Sequence, residues 1–218
     1  MSSNRHLILF HAPNSRSTGV LTLLEELGAD YELKLLNLRR GDQRQPAYLA
    51  VNPMGKVPAL LHGDALVTEQ PAIYQYAAEL YPEAGLSPAV GDPLRGPYLR
   101  WLAFYGSCFE PALTDRALKR EPGPHMQSPY GSAEEVIATV QQQLARGPWL
   151  LGERFTAADL LWGKALTWMV AFQLFPDGPE VQAYTARFNA RPAVQKAAAL
   201  DAELATRQQT ELGATPAA

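Results

Sequence analysis

The chain has 218 residues, 47% of them hydrophobic and 19% charged, which is enough apolar material to bury a core and excludes a disordered chain. Nineteen Lys and Arg against 22 Asp and Glu give a net charge of −3, so there is little material for a basic face and no nucleic-acid partner is expected. At roughly 150 residues per domain, one or two domains fit. The single cysteine, Cys108, rules out an intramolecular disulfide, a Cys-x-x-Cys redox pair and a thiolate zinc site. His6, His11, His62 and His125 lack metal-ligand spacing, and no metal is expected. The apolar run Leu7 to Phe10 is too short for a signal-peptide core. The longer one around Trp162 to Phe175 is broken by Lys164, so no membrane span is expected. These features predict a cytoplasmic protein.

Strand and helix signals alternate over the first eighty residues. His6 to Phe10 reads as a short buried strand. Val20, Leu23, Leu24 and Leu27 follow at helical spacing, with capping groups in Ser15 to Gly19 and a closing glycine, Gly28. Tyr31 to Leu38 reads as a second strand, and the helical crossover makes the pair parallel. Pro46 to Ala50 predicts a short helix. Val57 to Leu61 and Ala65 to Thr68 flank His62-Gly63-Asp64, a hairpin signal. Ile73, Ala77 and Leu80 predict a helix over Glu69 to Tyr81, stopped before Pro82. The order β-α-β-α-β-β-α suits an α/β thioredoxin-like sheet with helices packed on it.

The composition shifts after Tyr81. Pro82, Pro88, Pro93 and Pro97, with Gly85, Gly91 and Gly96, mark a linker. Beyond it only helical patterns stand out: Tyr98 to Phe109, Ala133 to Arg146, Ala157 to Leu174, Val181 to Asn189 and Ala193 to Ala205. The predicted organisation is therefore an α/β domain over 1–82, a linker over 83–92 and an all-α domain over 93–218. Thr210 to Ala218 is expected to fray.

This layout resembles the cytosolic glutathione S-transferase superfamily, and the motifs agree. The segment Gln45 to Leu60, containing Asn52-Pro-Met-Gly-Lys-Val-Pro58, resembles the family's NP-x-G-x-VP stretch. Thr68-Glu-Gln-Pro-Ala-Ile73 resembles its E-S-x-A-I helix start. Gly152 to Asp159 resembles its capping box in the helical domain, with Thr156 as N-cap and Asp159 reaching back. Arg191-Pro192 resembles its late-helix punctuation. The similarity spans nearly the whole chain.

The resemblance implies glutathione as co-substrate and places its contacts. A cis peptide at Val57-Pro58 would leave Val57 backbone groups to pair with the cysteinyl part, like an added strand. Glu69-Gln70 stands at a helix N-terminus, where unpaired N–H groups and the positive dipole end favour a carboxylate. By resemblance Glu69 binds the α-ammonium of the γ-glutamyl group and the helix end receives its α-carboxylate. Gln70 departs from the family, which has Ser there. Gln43, Arg44 and Lys56 match positions near the glycine carboxylate.

The start of the first helix carries the chemistry. A free thiol has a pKa of about 8.5, and lowering it by two units requires about 2.7 kcal/mol, within reach of a helix dipole plus one donor. No tyrosine precedes Tyr31, which excludes a Tyr-type enzyme. Pro13 to Ser17 lacks cysteine, which excludes a Cys-type one. A Ser-type site remains: Ser15 is the first choice for the sulfur contact and Asn14 the second, with Ser17 three residues beyond Asn14. Helix capping accounts for all three residue types equally well. His11, Tyr105 and Cys108 are the candidates for lining the second-substrate pocket, His11 also reading as structural and the aromatic stripe as core.

The sequence thus predicts a glutathione transferase acting on small electrophiles, as a homodimer. The alternatives are a glutathione-dependent disulfide or peroxide reductase, or a non-catalytic module of the same fold.

Overall fold

The computed structural model describes residues 5–214. The chain divides into two compact units. One holds the residues up to Ile73 together with those from Pro192 onward, and the other holds Tyr74 to Arg191. These units cut the chain differently from the sequence-based extents, because the final helix joins the first unit.

In the first unit, four strands form one mixed sheet in the order β2-β1-β3-β4. They are β1 (Leu7–His11), β2 (Tyr31–Leu35), β3 (Ala59–His62) and β4 (Ala65–Val67). Strands β1 and β2 are parallel, and the other neighbours antiparallel. The thioredoxin-like α/β architecture expected for this half is the one observed. Alternation along β1 puts Leu7, Leu9 and His11 on its buried face. Helix α1 (Ser17–Leu27) ends at Gly28, whose φ of 59° caps it in the left-handed conformation. A short α2 (Pro46–Leu49) precedes the turn into β3, and α3 (Gln70–Leu80) follows β4.

The last helix, α9 (Pro192–Ala214), is longer than its predicted range and packs on α1. It remains helical through the positions where fraying was expected, up to Ala214; 215–218 lie outside the described residues. Buried residues therefore run almost all round α1, with Val20, Leu21, Leu23 and Leu24 wholly inaccessible.

The second unit is helical. It contains α4 (Arg95–Phe104), α5 (Glu110–Ala117), α6 (Ala133–Leu144), α7 (Ala157–Ala171) and α8 (Pro179–Asn189). Helix α5 is absent from the sequence reading. A π-helical turn, Tyr105–Phe109, connects α4 to it, and Pro111 sits in its first turn, where a missing N–H costs nothing. The core is an aromatic cluster in which Trp162 meets Trp101, Tyr105 and Phe109, its indole N–H donating to the Trp101 carbonyl at 3.0 Å. Helix α7 approaches α8 at Gly163, where a Cβ would lie 2.3 Å from a ring carbon of Phe188. Only glycine fits there. No described helix is long and apolar enough to cross a membrane.

The capping box expected at Thr156 is present. Asp159 accepts from the Thr156 N–H at 2.9 Å and hydroxyl at 3.1 Å, and also from the Leu150 N–H at 2.8 Å and the Tyr184 hydroxyl at 3.0 Å. Burial pushes its carboxyl up to about 6, against the lowering effect of those donors. A raised carboxyl favours the protonated folded form, so its stabilisation is full below the unfolded value near 4 and is lost as pH rises through 6. Relative to Asp159→Asn, which does not titrate, the wild type is expected to lose up to ~3 kcal/mol between about pH 4 and pH 6. Urea unfolding of both proteins across that range measures it, and a difference that stays flat would contradict it.

Candidate functional site

Sheet topology sets the site. Phe10 pairs with Ala59, so the start of β3 lies beside the end of β1, next to the turn that leads into α1. The two residues before β3, Val57 and Pro58, are joined by a cis peptide, as the resemblance implied. Val57 stands outside the ladder, half-buried, and Pro58 is buried. The carbonyl just before them, on Lys56, accepts from the Tyr48 hydroxyl at 2.5 Å and the Asn52 amide at 2.9 Å. Tyr48 in turn packs its ring on Phe10 at 5.4 Å, tying α2 to β1.

Lys56 itself is exposed, as is Arg44; Gln43 is half-buried. Arg44 Nη1 reaches the Met54 carbonyl at 3.4 Å and Gln43 Nε2 the Leu38 carbonyl at 3.4 Å. Gly55 closes this loop at φ 60°, where a Cβ would come within 2.8 Å of the Gln43 carbonyl and 2.9 Å of the Arg44 guanidinium. One cationic edge thus forms beside Val57.

At the start of α3, Glu69 is exposed in the left-handed region with φ 62°, and its carbonyl accepts the Ile73 N–H at 3.0 Å. A non-glycine residue there is strained, and such strain clusters at ligand sites. Gln70, which the resemblance places where it can donate to the γ-glutamyl carboxylate, is buried, and its amide donates to the Arg16 carbonyl at 3.2 Å. This bond holds the α3 N-terminus against the β1–α1 turn.

In that turn Ser15 is half-buried. Its hydroxyl donates to the Ala12 carbonyl at 2.6 Å, lies 2.7 Å from Ser17 Oγ, and accepts the Ser17 N–H at 3.2 Å. The one hydrogen of the Ser15 hydroxyl is thus directed at the Ala12 carbonyl. Asn14 is exposed with φ 55°, a conformation Asn tolerates, and its N–H donates to Asp201 Oδ2 at 3.1 Å. Ser17 is wholly buried.

Asp201, from α9, is the residue sequence reasoning missed. It accepts from Thr18 Oγ1 at 2.7 Å as well as from Asn14, and its Oδ1 lies 3.2 Å from His11 Nε2. The His11 approach lies outside aligned hydrogen-bond geometry. Burial raises the Asp201 carboxyl, but His11, Thr18 and the Asn14 N–H outweigh it and leave it below the ordinary aspartate value. His11 does not line a pocket. It is completely inaccessible because the inward face of β1 carries it into the core.

A cavity of about 270 Å³ opens beside Asn14, bounded by Asn37, Arg39, Ala205, Gln208 and Gln209 among others. Gln208 Nε2 donates to the Leu36 carbonyl at 3.1 Å, which fixes this wall to the end of β2. The α9 wall was outside the sequence reading.

The other pocket candidates lie in the helical unit. Tyr105 is buried, its ring 5.8 Å from Phe109 and 5.7 Å from Trp162, which makes it part of that unit's core. Cys108 is half-buried with its sulfur 3.7 Å from the Ser107 hydroxyl. Among the described residues no group of His, Cys, Asp and Glu could hold a metal ion.

Two family models match the chain: the glutathione S-transferase N-terminal domain over residues 5–79 and the C-terminal domain over 131–192. The chain is 32% identical over 192 residues to glutathione S-transferase GstA of Escherichia coli O157:H7, covering 87% of this chain and 96% of that protein. Among solved structures, a glutathione transferase from Methylococcus capsulatus aligns with a TM-score of 0.76 at 33% identity, covering 90% of this chain and 98% of the other. A sphingomonad glutathione S-transferase complexed with glutathione aligns with a TM-score of 0.70 at 32% identity, covering 89% and 98%.

The strain at Glu69 is testable. Glu69→Gly removes the Cβ penalty and is expected to raise stability by about 1 kcal/mol, whereas Glu69→Ala keeps it and is expected to raise nothing. Chemical denaturation of the three proteins distinguishes them; equal gains from Gly and Ala would mean the carboxylate, not the backbone, carries the strain.

Proposed function

The chain belongs to the glutathione S-transferase family, and on that premise we propose that it binds glutathione along the β1–α1 turn, the Val57 segment and the α3 N-terminus. The enzyme transfers the glutathione sulfur to an electrophile. What supports this reading above all is the convergence of three features in one compact unit: the Ser15 hydroxyl, the Val57-Pro58 segment beside the end of β1, and the strained Glu69 tied to the same turn through Gln70.

Each part of the tripeptide meets a matching group. The γ-glutamyl carboxylate lies at the α3 N-terminus, where orphan N–H groups and the dipole favour an anion. Its ammonium pairs with Glu69. The cysteinyl backbone pairs with Val57 as an added strand, and the glycine carboxylate meets Lys56, Arg44 and Gln43. The sulfur then falls at Ser15, with Asn14 beside it. One hydroxyl donor and the α1 N-terminus stabilise the thiolate, and the anion attacks: an S–C bond forms, and the leaving group departs with its electron pair.

The electrophile occupies the cavity beside Asn14. Arg39, Gln208 and Gln209 give that cavity donors, so a substrate carrying a hydrogen-bond acceptor fits it better than a plain hydrocarbon. A second copy of the chain as partner and a cytoplasmic location complete the reading; size-exclusion chromatography coupled to light scattering tests the dimer.

Ser15→Ala is expected to raise the pKa of the bound thiol by about 1–2 units and to lower kcat/KM at neutral pH about 10- to 100-fold. Ultraviolet difference spectra of the glutathione complex read the first effect. An unchanged thiol pKa would remove Ser15 from the mechanism and leave Asn14 or the dipole.

A further inference from the structure

Behind Ser15 a line of polar groups runs inward, hydrogen-bonded as far as His11. Ser15 Oγ lies 2.7 Å from Ser17 Oγ, Ser17 Oγ lies 2.8 Å from His11 Nδ1, and His11 Nε2 lies 3.2 Å from Asp201 Oδ1. Only the outer member is half-exposed; Ser17 and His11 are wholly inaccessible and Asp201 is 6% exposed. A core histidine facing a core carboxylate needs more than packing to account for it, since each buried polar group must be matched.

Two arrangements of the hydrogens fit these contacts, one for each charge state of His11. Ser17 Oγ accepts the Ala12 N–H at 3.0 Å and has room for one more donor and one hydrogen of its own. In one order the Ser15 hydrogen leaves the Ala12 carbonyl for Ser17, the Ser17 hydrogen goes to His11 Nδ1, and neutral His11 carries its proton on Nε2, facing Asp201. In the reverse order Nδ1–H donates to Ser17, Ser17 to Ser15, and Ser15 outward; every group is then satisfied only with both ring nitrogens protonated, so this is the arrangement of the imidazolium. Thr18 and the Asn14 N–H hold the Asp201 carboxylate in place in both.

We propose that this chain is a proton relay: Ser17, His11 and Asp201 act through Ser15 to take up the proton of bound glutathione. The inference rests on the glutathione site described above. The thiol S–H bond breaks as an O–H bond forms at Ser15. The hydrogen of Ser15 passes to Ser17, and that of Ser17 to His11 Nδ1. No electron is gained or lost overall; a thiolate and an imidazolium result, and the Asp201 carboxylate is the counter-ion. The relayed hydrogen on Ser15 now points at the sulfur, so the relay supplies the donor and removes the proton in one rearrangement. After attack the proton returns along the same path to the adduct or to water. Ser17, His11 and Asp201 are positioning residues in this scheme, since only Ser15 meets the sulfur.

The charged or titratable groups facing the imidazole are Asp201 from α9 and the Ser17 hydroxyl from α1, with the Thr18 hydroxyl on the same carboxylate. Ser17→Ala cuts the relay and leaves the Asp201 contacts to Asn14 and Thr18 intact. It is expected to raise the bound-thiol pKa by about one unit and lower kcat about tenfold at neutral pH, with the KM for glutathione within about twofold of wild type. The deficit closes at high pH, where the thiol ionises unaided, and Ser17→Thr restores most of the effect. A folded Ser17→Ala protein with the wild-type thiol pKa overturns the relay.

A second measurement uses the wild-type chain. Nitrogen-15 NMR of the His11 imidazole is expected to show Nδ1 gaining a proton when glutathione is added, and no change with S-methylglutathione, which has no thiol proton. A thiolate signal without protonation of His11 overturns the relay and leaves the glutathione site standing. No glutathione binding at all overturns that site and the relay with it.

Discussion

A buried carboxylate, Asp201, holds the β1–α1 end of the first unit together. An anion removed from water must be matched by donors, and here they come from the turn and the helix that matter most. The left-handed Asn14 supplies its N–H and Thr18 its hydroxyl, and the His11 ring edge lies 3.2 Å away. Helix α9 is thereby pinned to the start of α1, and the turn between β1 and α1 has one geometry. An ion pair between the exposed Lys196 and the largely buried Glu25, at 2.6 Å, joins the same two helices farther along.

Preorganisation follows from that. A hydroxyl held in place by its neighbours presents its oxygen in one position, and only its hydrogen has to turn. Ser15 is fixed by the Ala12 carbonyl, the Ser17 hydroxyl and the Ser17 N–H, and the whole group rests on the core through His11. On the other side of the turn, Gln70 locks the α3 N-terminus to Arg16. Its burial explains how a longer residue can replace the family's usual serine: it serves as a strut. Glu69 is then left at the exposed helix start, in a strained conformation.

Most of the architecture was legible because it rests on local signals. Gly28 announced the end of α1 through the φ that only a helix cap requires, Gly63 marked the hairpin, and the Thr156–Asp159 spacing announced the start of α7. The Val57-Pro58 motif located the segment beside β1. What stayed hidden depends on contacts far apart in sequence. Asp201 is one charged residue on a long polar helix, indistinguishable there from a solvated one. His11 carried a faint clue, since period two along β1 places it with Leu7 and Leu9 and implies a buried partner, but not which. Tyr105 and Phe109 look alike at helical spacing whether they line a pocket or fill a core. Helix α5 was missed because Pro111 reads as a stop, although a first-turn proline does not break a helix.

The order of the chain adds a last consequence. Residues 74–191 form their own unit between Ile73 and Pro192, so the first unit is assembled from both sides of it. The bond between Asn14 and Asp201 spans 187 positions. Closing so long a loop costs little more than closing one half its length, about 0.6 kcal/mol, since the entropy grows only with the logarithm of length. The separation bears on folding order more than on stability: a contact this remote forms after the local strand–helix pairs that surround it. Until α9 arrives, the Asn14 N–H and the Thr18 hydroxyl lack their carboxylate, and His11 faces no counter-charge. The turn that carries Ser15 therefore reaches its folded geometry only when the last helix has docked.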